Sequence, residues 1–221
     1  MIRSKDAELT RFKDALDTCP LVAILRWITP GEVDDIATTV IEEGFGILEI
    51  PLNSPDAFVS IERVARKFGT TSIIGAGTVM TAADVHRVKD CGRTLIVMPH
   101  ADTAVIEAAR ELGMPCIPGV ATPTEGFAAL RAGANALKVF PAEAISPAVL
   151  KAWRSVFSHD IPLLPTGGVS EQSMAAWAEA GASGFGVGGN LYRPGRSVEE
   201  VRVSARSFIG AWRVLAKRMM T

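Results

Sequence analysis

Short apolar runs rich in β-branched residues alternate with longer amphipathic stretches along almost the whole chain. Runs of this length are typical of buried strands, and apolar spacing of three and four residues is typical of helices packed on a core. Strands are predicted at Leu21–Trp27, Ile47–Leu52, Ser72–Val79, Thr94–His100, Pro115–Ala121, Ala136–Ala142, Pro162–Val169 and Phe185–Leu191. Helices are predicted at Pro30–Glu43, Pro55–Phe68, Ala82–Asp90, Ala101–Leu112, Pro123–Ala132, Pro147–Phe157, Glu171–Ala180 and Val198–Val214.

Eight strand–helix units, repeating about every 25 residues, predict an α/β fold with a parallel sheet that closes into a (β/α)8 TIM barrel. Residues 1–221 are predicted to form this single barrel domain, with an extra N-terminal helix at 1–19 covering the barrel base. An open doubly wound sheet is the alternative. It would normally carry a glycine-rich loop after its first strand, and Leu25–Thr29 is not such a loop.

The composition is that of a globular protein, because 48% of the 221 residues are hydrophobic and 21% are charged. A formal net charge of −1 provides no broad attraction to nucleic acid or to anionic membranes. Cys19, Cys91 and Cys116 are odd in number and widely spaced, which argues against a disulfide framework. No secretory signal or membrane-spanning run is recognised. These observations predict a cytoplasmic protein that binds neither nucleic acid nor membrane.

Lys138 lies within an apolar run that predicts a buried strand. Burial disfavours the ammonium form of a lysine and so lowers its pKa. A neutral amine is a nucleophile that forms a Schiff base with a carbonyl substrate. The alternatives are a lysine held in a buried ion pair or one that extends from the strand end to solvent.

Two further charged residues occupy strand ends, where barrel enzymes carry their active sites. Glu49 alternates with apolar neighbours on the second predicted strand, so it points to the opposite face and is a candidate general base. Arg26, near the end of the first strand, is a candidate partner for a substrate carboxylate. The two side chains could instead pair with each other and have a structural role.

Two glycine clusters follow the last two predicted strands, at 166–169 and at 186–190. Without a Cβ, glycine lets an anion approach the backbone N–H groups closely. Barrels often bind phosphate between the corresponding loops. The clusters therefore predict a phosphate site, with tight turns as the alternative.

Thr78, after the third strand, is predicted to cap the next helix, with a substrate hydrogen bond as the alternative. His86, His100 and His159 form no metal-binding pattern with nearby acids or cysteines, so no metal site is predicted. His100 stays a candidate substrate contact because it ends the fourth predicted strand.

Six motifs, taken in order, resemble those of the 2-keto-3-deoxy-6-phosphogluconate and 6-phosphogalactonate aldolase family over roughly positions 20 to 215. Each motif is modest alone, but their joint order and spacing are specific. The motifs are Ile24-Leu25-Arg26, Glu49-Ile50-Pro51-Leu52-Asn53-Ser54, Gly75-Ala76-Gly77-Thr78-Val79, Cys116-Ile117-Pro118-Gly119, Leu137-Lys138-Val139-Phe140-Pro141 and Thr166-Gly167-Gly168-Val169.

The resemblance implies class I aldolase chemistry, with Lys138 as the Schiff-base lysine and Glu49 as the general acid and base. It implies a phosphorylated 2-keto-3-deoxy sugar acid and pyruvate as ligands, and a homotrimer that needs no metal or cofactor. The implied substrate contacts are Arg26 and Thr78 at the pyruvyl end, Pro99 and Phe140 as walls, Thr166, and Gly167, Gly168, Gly188 and Gly189 at the phosphate end.

The chain departs from the family pattern at Trp27 and at Met98-Pro99-His100. It also departs at Gly188-Gly189-Asn190, where relatives carry a serine at one of the last two positions. The stretch Pro51-Leu52-Asn53-Ser54 is similar to the galactonate type, whereas the gluconate type tends to carry Thr-Leu-Arg-Thr. Pro165-Thr166-Gly167-Gly168 is shared with gluconate-type enzymes. The resemblance therefore favours the galactonate epimer as substrate.

Two other classes of protein would share the barrel and the phosphate site. A phosphosugar isomerase or epimerase would use paired acid and base residues or a metal, without needing a strand lysine. A non-catalytic phosphosugar-binding protein would keep Lys138 protonated as an anion partner.

Overall fold

The structure, a computed structural model, describes residues 5–92 and 94–219. The strand segments in this part of the chain are β1 (Leu21–Ile24), β2 (Ile47–Pro51), β3 (Ile73–Gly77), β4 (Leu95–Val97), β5 (Cys116–Ile117), β6 (Gly119–Val120), β7 (Leu137–Val139), β8 (Leu163–Pro165) and β9 (Phe185–Val187). The helices are α1 (Lys5–Thr18), α2 (Val33–Glu42), α3 (Ala57–Phe68), α4 (Ala82–Asp90), α5 (Thr103–Glu111), α6 (Pro123–Ala132), α7 (Pro147–Trp153), α8 (Met174–Glu179) and α9 (Val198–Met219), with a 3-10 helix at Ala142–Ala144. The predicted alternation of strands and helices is confirmed.

The strands form a curled parallel sheet in two parts. Six strands hydrogen-bond in the order β5-β4-β3-β2-β1-β9, and three in the order β6-β7-β8. Every described strand pair is parallel. Thr166, directly after β8, and Gly186, in the middle of β9, form an isolated parallel bridge. The fold is therefore α/β with helical crossovers between parallel strands.

The fifth predicted strand, Pro115–Ala121, is divided into β5 and β6 at Pro118. Proline has no N–H to donate, so it interrupts the ladder at this position. The Pro118 carbonyl still accepts a hydrogen bond of 2.9 Å from the backbone N–H of Lys138. This contact joins the segment between β5 and β6 to β7.

Side chains alternate between two apolar layers, as expected for strands covered on both faces. One layer lies between the sheet and the helices and includes Leu48, Ile50, Leu137 and Val139. The other lies inside the curl and is built from the opposite side of the same strands: Val22, Ile47, Ile73, Leu95, Val97, Ile117, Ala136 and Leu164. A strand residue two positions beyond an inner residue therefore also points inward.

Helix α1 adds Phe12 and Leu16 to the inner cluster. Arg11 of α1 donates a 3.0 Å hydrogen bond to the Gly69 carbonyl, in the loop before β3. The helix ends at Thr18, and residues 1–4 of the predicted helix at 1–19 lie outside the described part.

Helix starts differ in how closely they follow the predicted proline signals. Helix α6 begins at Pro123 with a capping box between Thr122 and Glu125, which satisfies the free N–H groups at the helix start. Helix α3 begins at Ala57 instead of the predicted Pro55, because Asp56 adopts a left-handed conformation with φ 44°. Among the described helices, none has the length and hydropathy needed to cross a membrane.

Candidate active site

Two charged side chains continue the inner layer of the sheet. Glu49 lies two residues beyond Ile47 on β2, and Lys138 lies two residues beyond Ala136 on β7. The alternation of the strand directs both side chains into the curl. Lys138 is 4% exposed and Glu49 is 1% exposed. Burial of ionisable groups to this extent costs free energy unless their protonation changes.

The Glu49 carboxyl is packed against Gly77 on the neighbouring strand β3. A Cβ at Gly77 would overlap with Glu49 Oε2, so the absence of a side chain there makes room for the carboxyl. Oε2 is buried and has no hydrogen-bond partner among the described residues. Burial raises the pKa of Glu49 to about 7, against the opposing effect of the positive charges of Lys138 and Arg26. A carboxyl with this pKa can both accept and release a proton near neutral pH.

The Lys138 amine is shifted in the opposite direction. Burial lowers the pKa of Lys138, the Glu49 charge opposes this shift, and the Arg26 charge adds to it. Nζ lies 4.7 Å from the centre of the Phe140 ring. Both shifts favour the uncharged partner, so the pair can hold a neutral amine beside a neutral carboxylic acid. A neutral amine is what attack on a ketone requires.

A cavity of about 450 Å³ opens above Lys138. Its lining includes eight of the residues predicted from the sequence: Arg26, Lys138, Phe140, Thr166, Gly167, Gly168, Gly188 and Gly189. Glu49 lies beside the cavity, within electrostatic reach of Lys138 and Arg26. Thr78 and Pro99 are not among the described residues that line it.

The prediction that Thr78 caps the next helix is wrong. Thr81 is the capping residue of α4, and its side chain accepts a hydrogen bond from the Asp84 N–H. Thr78 instead follows β3 in a left-handed conformation with φ 53°, which turns the chain away from the sheet before the helix starts. Pro99 lies after β4, and its backbone packs so closely on Gly119 that a Cβ at Gly119 would clash with it.

Trp27 and His100, two of the departures from the family pattern, lie near the strand ends. Trp27 follows Arg26 with φ 66° and is 49% exposed, and its backbone N–H donates a 2.9 Å hydrogen bond to Ser54 Oγ. His100 Nδ1 is buried without a hydrogen-bond partner among the described residues. Neither residue is among those that line the cavity.

The glycine clusters form the far end of the cavity. Gly167 and Gly168 both have positive φ, 106° and 62°, which a residue with a side chain rarely adopts. The backbone N–H groups of Gly168 and Gly189 donate no hydrogen bond to any described residue. The Asn190 side chain donates a 2.7 Å hydrogen bond to the Val169 carbonyl and so ties the two loops together. Free N–H donors on a cavity wall are suited to an anion.

Sequence reasoning missed three residues of this site. Arg193 and Glu143 line the cavity as its remaining charged side chains, and Gly77 makes room for Glu49. Arg193 lies only three positions after the second glycine cluster, at 186–190, which was an available signal. No comparable signal marks Glu143, because its approach to the glycines depends on how two strands lie side by side.

No cluster of three or more His, Cys, Asp or Glu side chains suited to a metal ion occurs in the described ranges 5–92 and 94–219.

The family model described as "KDPG and KHG aldolase" matches residues 12–204. The chain belongs to the KDPG and KHG aldolase family. This agrees with the family resemblance of the ordered motifs. The family assignment also makes the chain an aldolase, which is a carbon–carbon lyase.

Relatives within the family differ in their similarity to this chain. The 2-dehydro-3-deoxy-6-phosphogalactonate aldolase of Escherichia coli (strain K12) is 44% identical over 88% of this chain and 95% of its own. The 2-dehydro-3-deoxy-phosphogluconate aldolase of Pseudomonas aeruginosa is 34% identical over 72% of this chain and 74% of its own. A solved structure described as "Native KDPGal structure" is 43% identical, with a TM-score of 0.88 over 90% of this chain and 96% of that one.

Proposed function

We propose that this protein is a class I aldolase that cleaves 2-dehydro-3-deoxy-6-phosphogalactonate reversibly to pyruvate and D-glyceraldehyde 3-phosphate. The observation that carries the proposal is the buried pair of Lys138 and Glu49, whose pKa shifts both favour the uncharged form. In this assignment Lys138 is the nucleophile and Glu49 is the general acid and base. The cavity of about 450 Å³ above them is within the usual range for a small-molecule site.

The first half of the reaction forms the Schiff base. Neutral Lys138 Nζ attacks the C2 ketone, and the ketone oxygen gains a proton to give a carbinolamine. Loss of this hydroxyl as water leaves an iminium ion at C2. Glu49 supplies and recovers the protons of these steps, for which a pKa of about 7 is suitable.

The second half breaks the carbon chain. The C4 hydroxyl loses its proton, the C3–C4 bond breaks, and its electron pair moves to the iminium to form an enamine. The C4 fragment leaves as the aldehyde glyceraldehyde 3-phosphate. Protonation of the enamine at C3 and addition of water at C2 then release pyruvate and regenerate the Lys138 amine.

Two parts of the cavity orient the substrate. Arg26 binds the C1 carboxylate, and its charge also lowers the pKa of Lys138. The glycine loops bind the phosphate through the N–H groups of Gly168 and Gly189, which donate to no described residue. Phe140 and Thr166 form the wall between them. Binding at the two ends can hold the C3–C4 bond in position for cleavage. Roles for Thr78 and Pro99 at the pyruvyl end stay predictions.

The gluconate epimer is the alternative substrate. The galactonate preference is supported by the greater identity to the Escherichia coli galactonate enzyme than to the Pseudomonas aeruginosa gluconate enzyme, 44% against 34%. It is also supported by the stretch Pro51-Leu52-Asn53-Ser54 after Glu49. Thr166, within a motif shared with the gluconate type, lines the cavity and argues the other way.

The architecture and assembly extend this proposal. We infer that the two sheets close into one eight-stranded barrel that forms a single domain, with α1 covering its base. The bridge between Thr166 and Gly186 and the contact of Lys138 with Pro118 support closure. A homotrimer and a cytoplasmic location, both expected from the sequence, stay predictions. The molar mass measured by light scattering would test the trimer, which should have three times the mass of one chain.

The Schiff base is tested by incubating the protein with pyruvate, reducing with borohydride and mapping the modified peptide by mass spectrometry. We expect one pyruvyl adduct, on Lys138. Lys138→Met should abolish the adduct and lower the cleavage rate by about 10⁴-fold or more, since covalent catalysis is lost. The matched control is Lys151→Met, at an exposed lysine on α7, which should behave as wild type.

An adduct on another lysine, or full activity of the Lys138→Met variant, would reject the proposed nucleophile. A folded protein that binds phosphosugars without any adduct would instead support the non-catalytic binding function. The epimer preference has its own test, in which kcat/KM is compared for the galactonate and gluconate substrates. A higher kcat/KM for the gluconate substrate would show that the gluconate epimer is preferred, and would leave the proposed Schiff-base chemistry unchanged.

A further inference from the structure

Among the described residues, four charged side chains line the cavity, and two of them have no place in the proposed chemistry. Arg26 and Lys138 belong to the reacting end. Glu143 and Arg193 lie at the end formed by the glycine loops. They carry opposite charges, and no ion pair joins them in the described part of the chain. Each is therefore free to act on a ligand separately.

The Arg193 side chain is held in place by a hydrogen bond to a backbone carbonyl of the same loop. Its Nε donates a 2.7 Å hydrogen bond to the Gly189 carbonyl, four residues earlier on the same loop. A guanidinium has five N–H donors, and the other four of Arg193 donate to no described residue. The fork geometry of these donors matches the oxygens of a phosphate.

The Glu143 side chain packs against the other glycine loop, at Gly167 and Gly168. It comes from the 3-10 helix after β7, and a Cβ at Gly167 would overlap with its Oε2. A Cβ at Gly168 would lie 2.9 Å from Glu143 Cγ, again closer than ordinary contact. The Glu143 carboxylate accepts no hydrogen bond from a described residue. A carboxylate thus covers the backbone that an anionic ligand must approach.

We propose that Glu143 and Arg193 are an opposed pair of specificity residues that set the affinity for the phosphorylated end of the substrate. This rests on the proposed function, which puts the phosphate at the glycine loops. Arg193 attracts the dianion. Glu143 repels it and must turn away from Gly167 before the phosphate can contact the loop. Glu143 packs on Gly167 and Gly168, and Arg193 is bonded to Gly189, so both act at the glycine loops on binding and release.

The test removes each charge separately with Glu143→Gln and Arg193→Gln. Addition of pyruvate to glyceraldehyde 3-phosphate is compared with addition to glyceraldehyde, which has no phosphate. We expect Glu143→Gln to lower the KM for the phosphorylated aldehyde by about 3- to 10-fold and Arg193→Gln to raise it by about 10-fold, as is usual for charged contacts with partial solvent access. The KM for glyceraldehyde should change by less than about twofold in both variants, because it lacks the charge on which these side chains act.

Matched controls are Glu107→Gln and Arg131→Gln, exposed residues on α5 and α6 outside the cavity. They make the same changes in net charge and should leave both KM values as in wild type. A shift in the same direction for both site variants, or equal shifts for both aldehydes, would overturn the proposal.

Inorganic phosphate provides a readout that does not need turnover. Its dissociation constant, measured by calorimetry, should fall for Glu143→Gln and rise for Arg193→Gln; unchanged constants would overturn the proposal. Pyruvate trapping on Lys138 is measured on the same samples. If trapping fails while phosphate binding shifts as expected, the proposed aldolase chemistry is wrong and the charge pair stands.

Discussion

The two ends of the cavity are built in different ways. The reacting end consists of side chains on strands, Lys138 and Glu49, which are 4% and 1% exposed. The phosphate end consists of loop backbone, in which Gly167 and Gly168 adopt left-handed conformations. Its charged side chains, Glu143 and Arg193, are exposed. One end thus depends on burial and the other on backbone shape.

The difference determines what each end can do. Burial shifts the pKa values of Lys138 and Glu49, because the removal of water penalises their charged forms. The exposed charges at the other end act through attraction and repulsion across partial solvent. In the proposed function, chemistry and affinity are therefore controlled by separate residues. Substitutions should be able to change one without the other.

Gly77→Ala is expected to have the largest effect, and only at the reacting end. The new Cβ would overlap with Glu49 Oε2, and the carboxyl at the end of a flexible side chain would shift to avoid it. Loss of a positioned acid and base typically costs about 100-fold or more in rate. We expect kcat to fall by this factor, with the dissociation constant for inorganic phosphate unchanged.

Gly46→Ala is the matched control, because nothing lies within 4 Å of a Cβ at Gly46. It should leave kcat within about twofold of wild type, as expected for a substitution into open space. Equal losses in the two variants would mean that Gly77 matters for strand stability and not for Glu49. Steady-state rates and thermal melts of both variants separate these cases.

Gly167→Ala should damage the phosphate end and spare Schiff-base formation. The left-handed φ of 106° disfavours a side chain, and the Cβ would overlap with the Glu143 carboxyl. We expect kcat/KM for the phosphorylated substrate to fall by about 10- to 100-fold, as is common when a binding loop is displaced. Borohydride trapping of pyruvate on Lys138 should remain complete.

Gly195→Ala isolates the cost of backbone strain. Gly195 also has a positive φ, 86°, but nothing lies within 4 Å of its Cβ position. This variant should lose about 1 kcal/mol of stability while keeping its affinity for substrate. Weaker trapping of pyruvate in the Gly167→Ala variant would show that the two ends are not separate.

The change in stability caused by Glu49→Gln is the smallest effect expected here, and it is separate from the loss of activity that removal of the acid and base would cause. The pKa of Glu49 is about 7 in the fold and 4.5 in its ordinary state, so the folded protein binds this proton more tightly than the unfolded chain. Wild-type stability therefore falls as pH rises from about 4.5 to about 7. Glutamine avoids this cost, so we expect Tm at pH 8 to rise by roughly 2–4 °C.

The same comparison at pH 4 should show no difference in Tm, because the Glu49 carboxyl is then protonated in both states. Glu107→Gln, at an exposed position, is the control and should not change Tm at either pH. A less stable Glu49→Gln variant at pH 8 would mean that the attraction between Glu49 and Lys138 outweighs the cost of burial.

Much of the fold was predictable because its signals are local. The alternation of apolar runs and amphipathic stretches identified the parallel strands, and helix α6 has the predicted bounds Pro123–Ala132. The sequence-based predictions failed where one local pattern is compatible with more than one structure. Pro118 divided a strand that hydropathy alone made continuous, and Thr81 instead of Thr78 capped α4.

The sequence by itself determined that Lys138 lies on a buried strand and that Glu49 points away from its apolar neighbours, since strand side chains alternate with a period of two wherever the strand lies. Only the tertiary structure decided what surrounds them. It packed Glu49 on Gly77 and Glu143 on Gly167, contacts between segments 28 and 24 positions apart along the chain. Such contacts depend on the curl of the sheet and on strand register, which no local pattern specifies.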